Sequence, residues 1–149
     1  MTDAYYMRLA ITEAKKAADM GEVPVGAVIV DSFGEVISTA HNLRESLNDP
    51  TAHAEILAIR SAGEKLQKWR LDDLTLYVTL EPCPMCAGAI LESRIGRLVY
   101  STTDVRRGAI ESVFALLRHK AVNSKTEIRA GVLEDECKEL LKEFFAKKR

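Results

Sequence analysis

The stretch Leu74-Thr75-Leu76-Tyr77-Val78-Thr79-Leu80 runs straight into Glu81-Pro82-Cys83-Pro84, and this junction constrains the fold more than any other part of the chain. The first seven residues are apolar, aromatic or β-branched and read as a buried strand. Pro82 stops the strand, and Pro84 suits the first turn of a helix that continues through Ala89, Ile90 and Leu91, because its missing N–H costs little there. Cys83 and Cys86 are separated by two residues, so one helical turn brings both sulfurs to a single point. The unpaired N–H groups of a helix start also favour thiolates.

Strand and helix patterns alternate along the rest of the chain. Thr2 and Asp3 can cap a first helix with the apolar stripe Tyr6, Ala10, Ala14 and Ala17, ending at Gly21. Val25 to Val30 is a continuous apolar run, and the turn Asp31-Ser32-Phe33-Gly34 leads to a second run through Val36 and Ile37, which reads as a hairpin. A polar loop follows from about His41 to Pro50, and Thr51 can cap a helix through Ile56, Leu57, Ala58 and Ile59. The pattern further predicts a strand over Arg97–Tyr100, a helix near Ile110 to Leu117 and a strand near Thr126 to Ala130. In the closing helix Leu133, Cys137, Leu140, Leu141, Phe144 and Phe145 form one stripe. Such alternation implies an α/β layered domain whose sheet is covered on both faces.

Composition excludes several classes. Hydrophobic residues are 47% of the 149 and charged residues 29%, with 21 basic against 22 acidic, which fits neither a disordered chain nor a polybasic tail. The length is that of one domain, expected over residues 1–149. No apolar stretch approaches the ~18 residues of a membrane span. Arg8, Glu13, Lys15 and Lys16 interrupt any leader-like apolar run. Three cysteines, two of them close together, argue against a disulfide framework, so a reduced, cytoplasmic location is expected.

The chemistry concentrates in Thr51-Ala52-His53-Ala54-Glu55 and Glu81-Pro82-Cys83-Pro84-Met85-Cys86. One imidazole and two thiolates make three ligands for Zn²⁺, and a fourth position left to water is the composition of a catalytic rather than a structural site. His41 and His119 have no spacing that places them near the pair, and Cys137 falls on the apolar stripe of the last helix. Glu55 lies two residues from His53, close enough to move protons without being a ligand. Zinc lowers the pKa of a bound water to about 7, so the set points to hydrolytic attack at an unsaturated carbon. A redox pair, half of a structural zinc knuckle, and a core histidine at position 53 are the competing readings. No thioredoxin-like context surrounds the cysteines.

His53-Ala54-Glu55 followed by Pro82-Cys83-Pro84-Met85-Cys86 resembles the H-x-E…P-C-x-x-C signature of zinc nucleobase deaminases. Glu22-Val23-Pro24-Val25-Gly26-Ala27-Val28, Asn42, Asp49-Pro50-Thr51-Ala52-His53-Ala54-Glu55, Leu76 to Cys83, Met85 to Ala89 and Ser93-Arg94-Ile95 are similar to the bacterial tRNA-specific adenosine deaminases. The similarity runs from about Tyr5 to Phe145. It implies a cytidine-deaminase-like three-layer α/β/α fold around a mixed five-stranded sheet, a homodimer, and conversion of adenosine to inosine at the wobble position of a tRNA anticodon. His53, Cys83 and Cys86 would then hold zinc and Glu55 would shuttle protons. Asn42 and the Ala54 N–H would contact the purine, Pro24 and Val25 would line its pocket, and Asp104 would lie beside the RNA backbone. Phe144 and Phe145 match aromatics near the anticodon loop, against a core reading that is favoured for Phe144.

Three positions depart from that pattern. Glu111 stands where the family has a second glycine, Ser124 where histidine is typical, and Pro84 where bacterial members have valine. The first two fall where substrate access is shaped, and they keep open a second reading, a deaminase of a free base or related heterocycle such as guanine or an aminotriazine. Arg106, Arg107, Arg118, Lys120, Lys125 and Lys147-Lys148-Arg149 form either one basic face or a scattered solvated surface.

Overall fold

The computed structural model describes residues 1–148. The expected α/β architecture is present as a five-stranded sheet between two helical layers. Helix α1 (Asp3–Asp19) starts where the Thr2 hydroxyl accepts the Tyr5 N–H at 3.2 Å, the cap its sequence suggested. Strands β1 (Gly26–Val30) and β2 (Val36–His41) form the hairpin, followed by a one-turn helix α2 (Arg44–Leu47) and helix α3 (Ala54–Leu66). Strand β3 (Thr75–Leu80), helix α4 (Pro84–Ser93) and strand β4 (Arg97–Thr102) come next. A short 3-10 turn (Leu116–Arg118), strand β5 (Glu127–Arg129) and helix α5 (Glu134–Lys147) complete the fold.

The strand order is β2-β1-β3-β4-β5. β1 pairs antiparallel with β2 and β3, while β3, β4 and β5 run parallel, so the sheet is mixed. Side chains alternate between its faces as the two-residue strand period requires. Ala27, Ile29, Leu76, Val78, Leu98 and Tyr100 join Ala54, Ala58, Ala87 and Ile90 in the core under α3 and α4. Val28, Val30, Tyr77 and Val99 face the other way, against Tyr6, Met7 and Ala10 of α1 and Cys137 of α5. Gly26 permits the close seating of α1 on β1, because a β-carbon there would collide with the Ala10 carbonyl.

Asp3 fastens the first turn of α1 to the parallel half of the sheet. Its carboxylate accepts two bonds from the Arg97 guanidinium (2.8 and 2.7 Å), one from Arg129 (2.6 Å) and one from the Tyr77 hydroxyl (2.7 Å). The Arg97 fork, with help from Tyr77 and Arg129, outweighs burial and holds this carboxyl well below the usual carboxylate range.

The structure corrects four local expectations. Residues 110–115 are turns rather than helix, and only Leu116–Arg118 coils. The loop expected after His41 contains α2. The cap of α3 is His53, not Thr51, whose N–H and hydroxyl both donate to the Asp49 carboxylate in the preceding turn. In α5 only Cys137 is buried. Phe144 is half-buried and Phe145 exposed, so neither is core; they meet edge-on at 5.3 Å near the helix end.

Candidate active site

Pairing geometry brings the chemical residues together. Because β1 runs antiparallel to β2 and β3, its first residue lies beside the ends of both. The segment before β1, the end of β2 and the loop after β3 therefore share one edge. Helices α3 and α4 both begin there.

His53 and Cys83 are the residues immediately before α3 and α4, both with extended backbone. His53 Nδ1 lies 3.6 Å from Cys83 Sγ and 3.4 Å from Cys86 Sγ. The three ligand atoms all fall within 4.8 Å of one another, and among the described residues they are the one such group of three or more. A tetrahedral ion with bonds of about 2.0 Å to nitrogen and 2.3 Å to sulfur needs N···S separations of roughly 3.5 Å, so spacing and donor types fit a metal. Neither cysteine is in a disulfide, and both are buried.

The protonation of the pair points the same way. A hydrogen bond from the Cys86 thiol, opposed by burial and aided by His53, brings the Cys83 thiol down to about 3. The Cys83 sulfur and burial push Cys86 up. Thiolate is the form that binds a thiophilic dication, so a lowered thiol beside a second sulfur and an imidazole suits a metal.

Glu55, on the first turn of α3, is 3% exposed, and its Oε1 has no hydrogen-bond partner. Burial pushes its carboxyl up to about 7, against the opposing pull of the α3 backbone N–H and of His53. A desolvated carboxyl with an unclaimed oxygen beside a metal group is equipped to carry a proton near neutral pH.

Four of the remaining candidates lie at the same edge. Pro24 and Val25 are buried just before β1, and the Val25 carbonyl accepts the Asn42 N–H at 3.2 Å. Asn42 is buried, and its side-chain oxygen accepts the Ala54 N–H at 2.8 Å. Asn42 and Ala54 therefore bond each other, which leaves the Asn42 amide hydrogens to donate elsewhere. Asp104 sits beyond β4, half-buried, and accepts the N–H groups of Arg106 (3.0 Å) and Arg107 (3.1 Å).

A family model of MafB19-like deaminases matches residues 1–149. The tRNA-specific adenosine deaminase of Bacillus subtilis (strain 168) is 50% identical over 143 residues, covering 96% of this chain and 88% of that protein. A solved structure from a study of A-to-I editing by tRNA:A34 deaminases at the wobble position superposes with a TM-score of 0.88 at 44% identity, covering 91% of this chain and 98% of the other. The chain belongs to the tRNA-specific adenosine deaminase family. Guanine deaminase of Bacillus subtilis is also similar, with a TM-score of 0.66 at 41% identity over 69% of this chain and 66% of its own.

Two carboxylates of this deaminase escaped the sequence reading. Glu22, 1% exposed, accepts the N–H groups of Glu45 (3.1 Å) and Ser46 (2.7 Å) and the Ser46 hydroxyl (2.6 Å), which ties α2 to the segment before β1. Glu81, 2% exposed, does the same for the loop after β4. Burial works to raise both, and the hydrogen bonds they accept outweigh it and hold both low. The available signal was an acidic residue close before a proline at the edge of an apolar run, as in Glu22-Val23-Pro24 and Glu81-Pro82.

Part of the basic surface is gathered. A groove of about 870 Å³ is lined by Arg97, Arg118, His119, Lys120 and Arg129 among others. It lies at the start of β4, the opposite end of the parallel strands from the metal group. Among the described residues no helix is long and apolar enough to cross a membrane.

Proposed function

We propose that this deaminase hydrolyses adenosine to inosine at the wobble position, residue 34, of a tRNA anticodon. The observation that carries the reading is the buried Glu55 carboxyl, one oxygen unclaimed, beside a three-ligand group in a chain half identical to a tRNA-specific adenosine deaminase. His53 through Nδ1 and Cys83 and Cys86 through Sγ would hold zinc, which when bound would acidify water to about neutral pH and act as a Lewis acid.

The chain's own residues do the rest. The target base leaves the loop stack, which costs least in single-stranded RNA. Pro24 and Val25 wall the pocket that receives it, and the Asn42 amide hydrogens donate to a ring nitrogen. The Ala54 N–H, expected to contact the purine directly, is instead donated to Asn42 Oδ1 and fixes the orientation of that amide. Glu55 Oε1 takes a proton from the attacking water and delivers it to N1 as the C6–O bond forms. It then carries the second proton from that oxygen to the amine as the C6–N bond breaks. Ammonia leaves and inosine retains the water oxygen, so atoms and protons balance. Asp104 sits beside the RNA backbone.

Residues 1–149 serve as one zinc-dependent domain, acting as a homodimer in the cytoplasm. A second reading, deamination of a free base such as guanine or an aminotriazine, is favoured by Glu111. This residue brings a negative charge to the loop beyond β4, where approaching phosphates are disfavoured. One experiment separates the two: sequencing and ammonia release from an adenosine-34 anticodon stem-loop beside free adenine, guanine and triazines. Inosine at position 34 supports the tRNA reading, and turnover of a free heterocycle without RNA editing replaces it.

A further inference from the structure

Glu81 follows β3 directly, one residue before Pro82 and two before Cys83. Its own N–H donates to the Thr102 carbonyl at 2.9 Å, so its backbone still follows the sheet. Its carboxylate turns toward the loop that leaves β4. One oxygen accepts the Asp104 N–H at 3.0 Å and the Ser112 hydroxyl. The other accepts the N–H groups of Ile110 (3.1 Å), Glu111 (2.8 Å) and Ser112 (3.0 Å). Five donors converge on one buried side chain, and four of them are backbone groups that neither helix nor sheet satisfies.

Two further contacts make the arrangement specific. The Ala109 N–H donates to the Pro82 carbonyl at 2.8 Å, which joins the loop to the residue beside the first cysteine. Gly108 packs against the Glu81 carboxyl so closely that a β-carbon there would overlap it. The loop is thus wrapped around Glu81. Its far end is steadied from the sheet, where the Tyr100 hydroxyl donates to the Glu111 carboxylate at 2.8 Å.

We infer that Glu81 is a positioning residue: it sets the shape of the 104–112 loop against the metal-ligand segment, and through that loop it determines how the nucleic-acid substrate enters. Glu81 accepts five hydrogen bonds with both oxygens, and no chemical step uses it. It acts through the loop that carries Asp104 and Glu111, which is joined to the metal-ligand segment by the Ala109–Pro82 bond. The inference rests on the adenosine-34 reading for the identity of the substrate, but not for the role of the carboxylate.

The decisive variant is Glu81→Gln. An amide has one acceptor oxygen, so either orientation turns an NH₂ group toward at least two donors of the loop. Three quantities are measured on the full-length zinc-loaded protein: metal content, amide hydrogen exchange of residues 104–112, and KM and kcat on an adenosine-34 stem-loop. The expected result is unchanged metal content, faster exchange confined to the loop, and a KM raised about 10- to 100-fold with kcat changed much less. Ser112→Ala removes one of the five bonds while sparing the backbone donors, and serves if the glutamine variant does not fold. It is expected to show the same pattern at about 2- to 5-fold.

Unchanged exchange in the loop overturns the inference. So does loss of metal together with activity, which would make Glu81 a support of the cysteine helix instead. Faster exchange with unaltered KM also overturns it. Wild-type protein that leaves the stem-loop unedited refutes the substrate reading alone, and the exchange and metal measurements still decide what Glu81 does.

Discussion

Replacing Asp3 by asparagine keeps the shape of the side chain and removes the charge on which Arg97, Arg129 and the Tyr77 hydroxyl converge. The Asp3 side chain is 11% exposed and that of Arg97 31%, so their two-bond contact is largely shielded, whereas Arg129 at 58% is screened by solvent and adds little. Charge-assisted hydrogen bonds of this kind contribute about 1.5–3 kcal/mol each, and discounting the exposed partner gives a loss of roughly 2–3 kcal/mol for Asp3→Asn at pH 7. For a domain of this size that corresponds to a fall in Tm of roughly 5–10 °C. The native Asp3 carboxyl is held below its unfolded value, so its contribution is complete above the unfolded pKa of about 3.9 and is lost as pH falls toward the native pKa. The gap between wild type and variant is therefore constant from pH 7 to 5 and narrower by about 1 kcal/mol at pH 3. Urea unfolding at pH 7, 5 and 3 measures it. A gap that is absent at pH 7, or that does not change between pH 5 and 3, refutes the reasoning. Deamination per folded molecule is expected to be unchanged, since Asp3 sits at the start of α1 and its partners on β3, β4 and β5 take no part in the metal edge.

Two further outcomes follow from the site. Cys86→Ser is expected to bind metal at least 10-fold more weakly and to lose the stabilisation that added zinc gives the wild type; thermal unfolding with and without zinc reads this, and equal zinc-dependent shifts would remove Cys86 from the ligand set. Glu111→Gln keeps an acceptor for the Tyr100 hydroxyl but removes a negative charge from the loop beyond β4, which is joined to the segment of the first cysteine. It is expected to lower KM for the stem-loop about 2- to 5-fold at low salt, with the difference fading as salt rises; a salt-independent difference would exclude the electrostatic cause.

Much of this architecture was legible in the sequence because its signals are local. Leu74 to Leu80 and Val25 to Val30 read as strands because they are buried on both faces, and Cys-x-x-C at a helix start needs only one turn to converge. The errors occur where other bonds override the local pattern. Ile110, Val113, Phe114 and Leu117 follow helical spacing, yet the Val113 and Phe114 N–H groups both fold back to the Gly108 carbonyl and the Leu116 N–H to that of Ala109, so the i→i−4 ladder is replaced by turns around Glu81. Thr51 is a good cap by type, but Asp49 captures it and His53 takes the cap position with its ring turned to the cysteines. The stripe on α5 implies burial that the sheet does not supply beyond its first turns, since only Cys137 is enclosed. Isolated carboxylates such as Glu22 and Glu81 carry no periodicity, so their partners are visible only in three dimensions.

The central claim is that Glu55 moves the protons of a metal-assisted deamination of adenosine 34. The most direct test is inosine formation on an anticodon stem-loop by wild type and Glu55→Gln, each with its zinc content determined. The account predicts inosine at position 34 with wild type, and equal zinc but a rate at least about 10²–10⁴-fold lower with the variant. Equal rates at equal zinc content would contradict it.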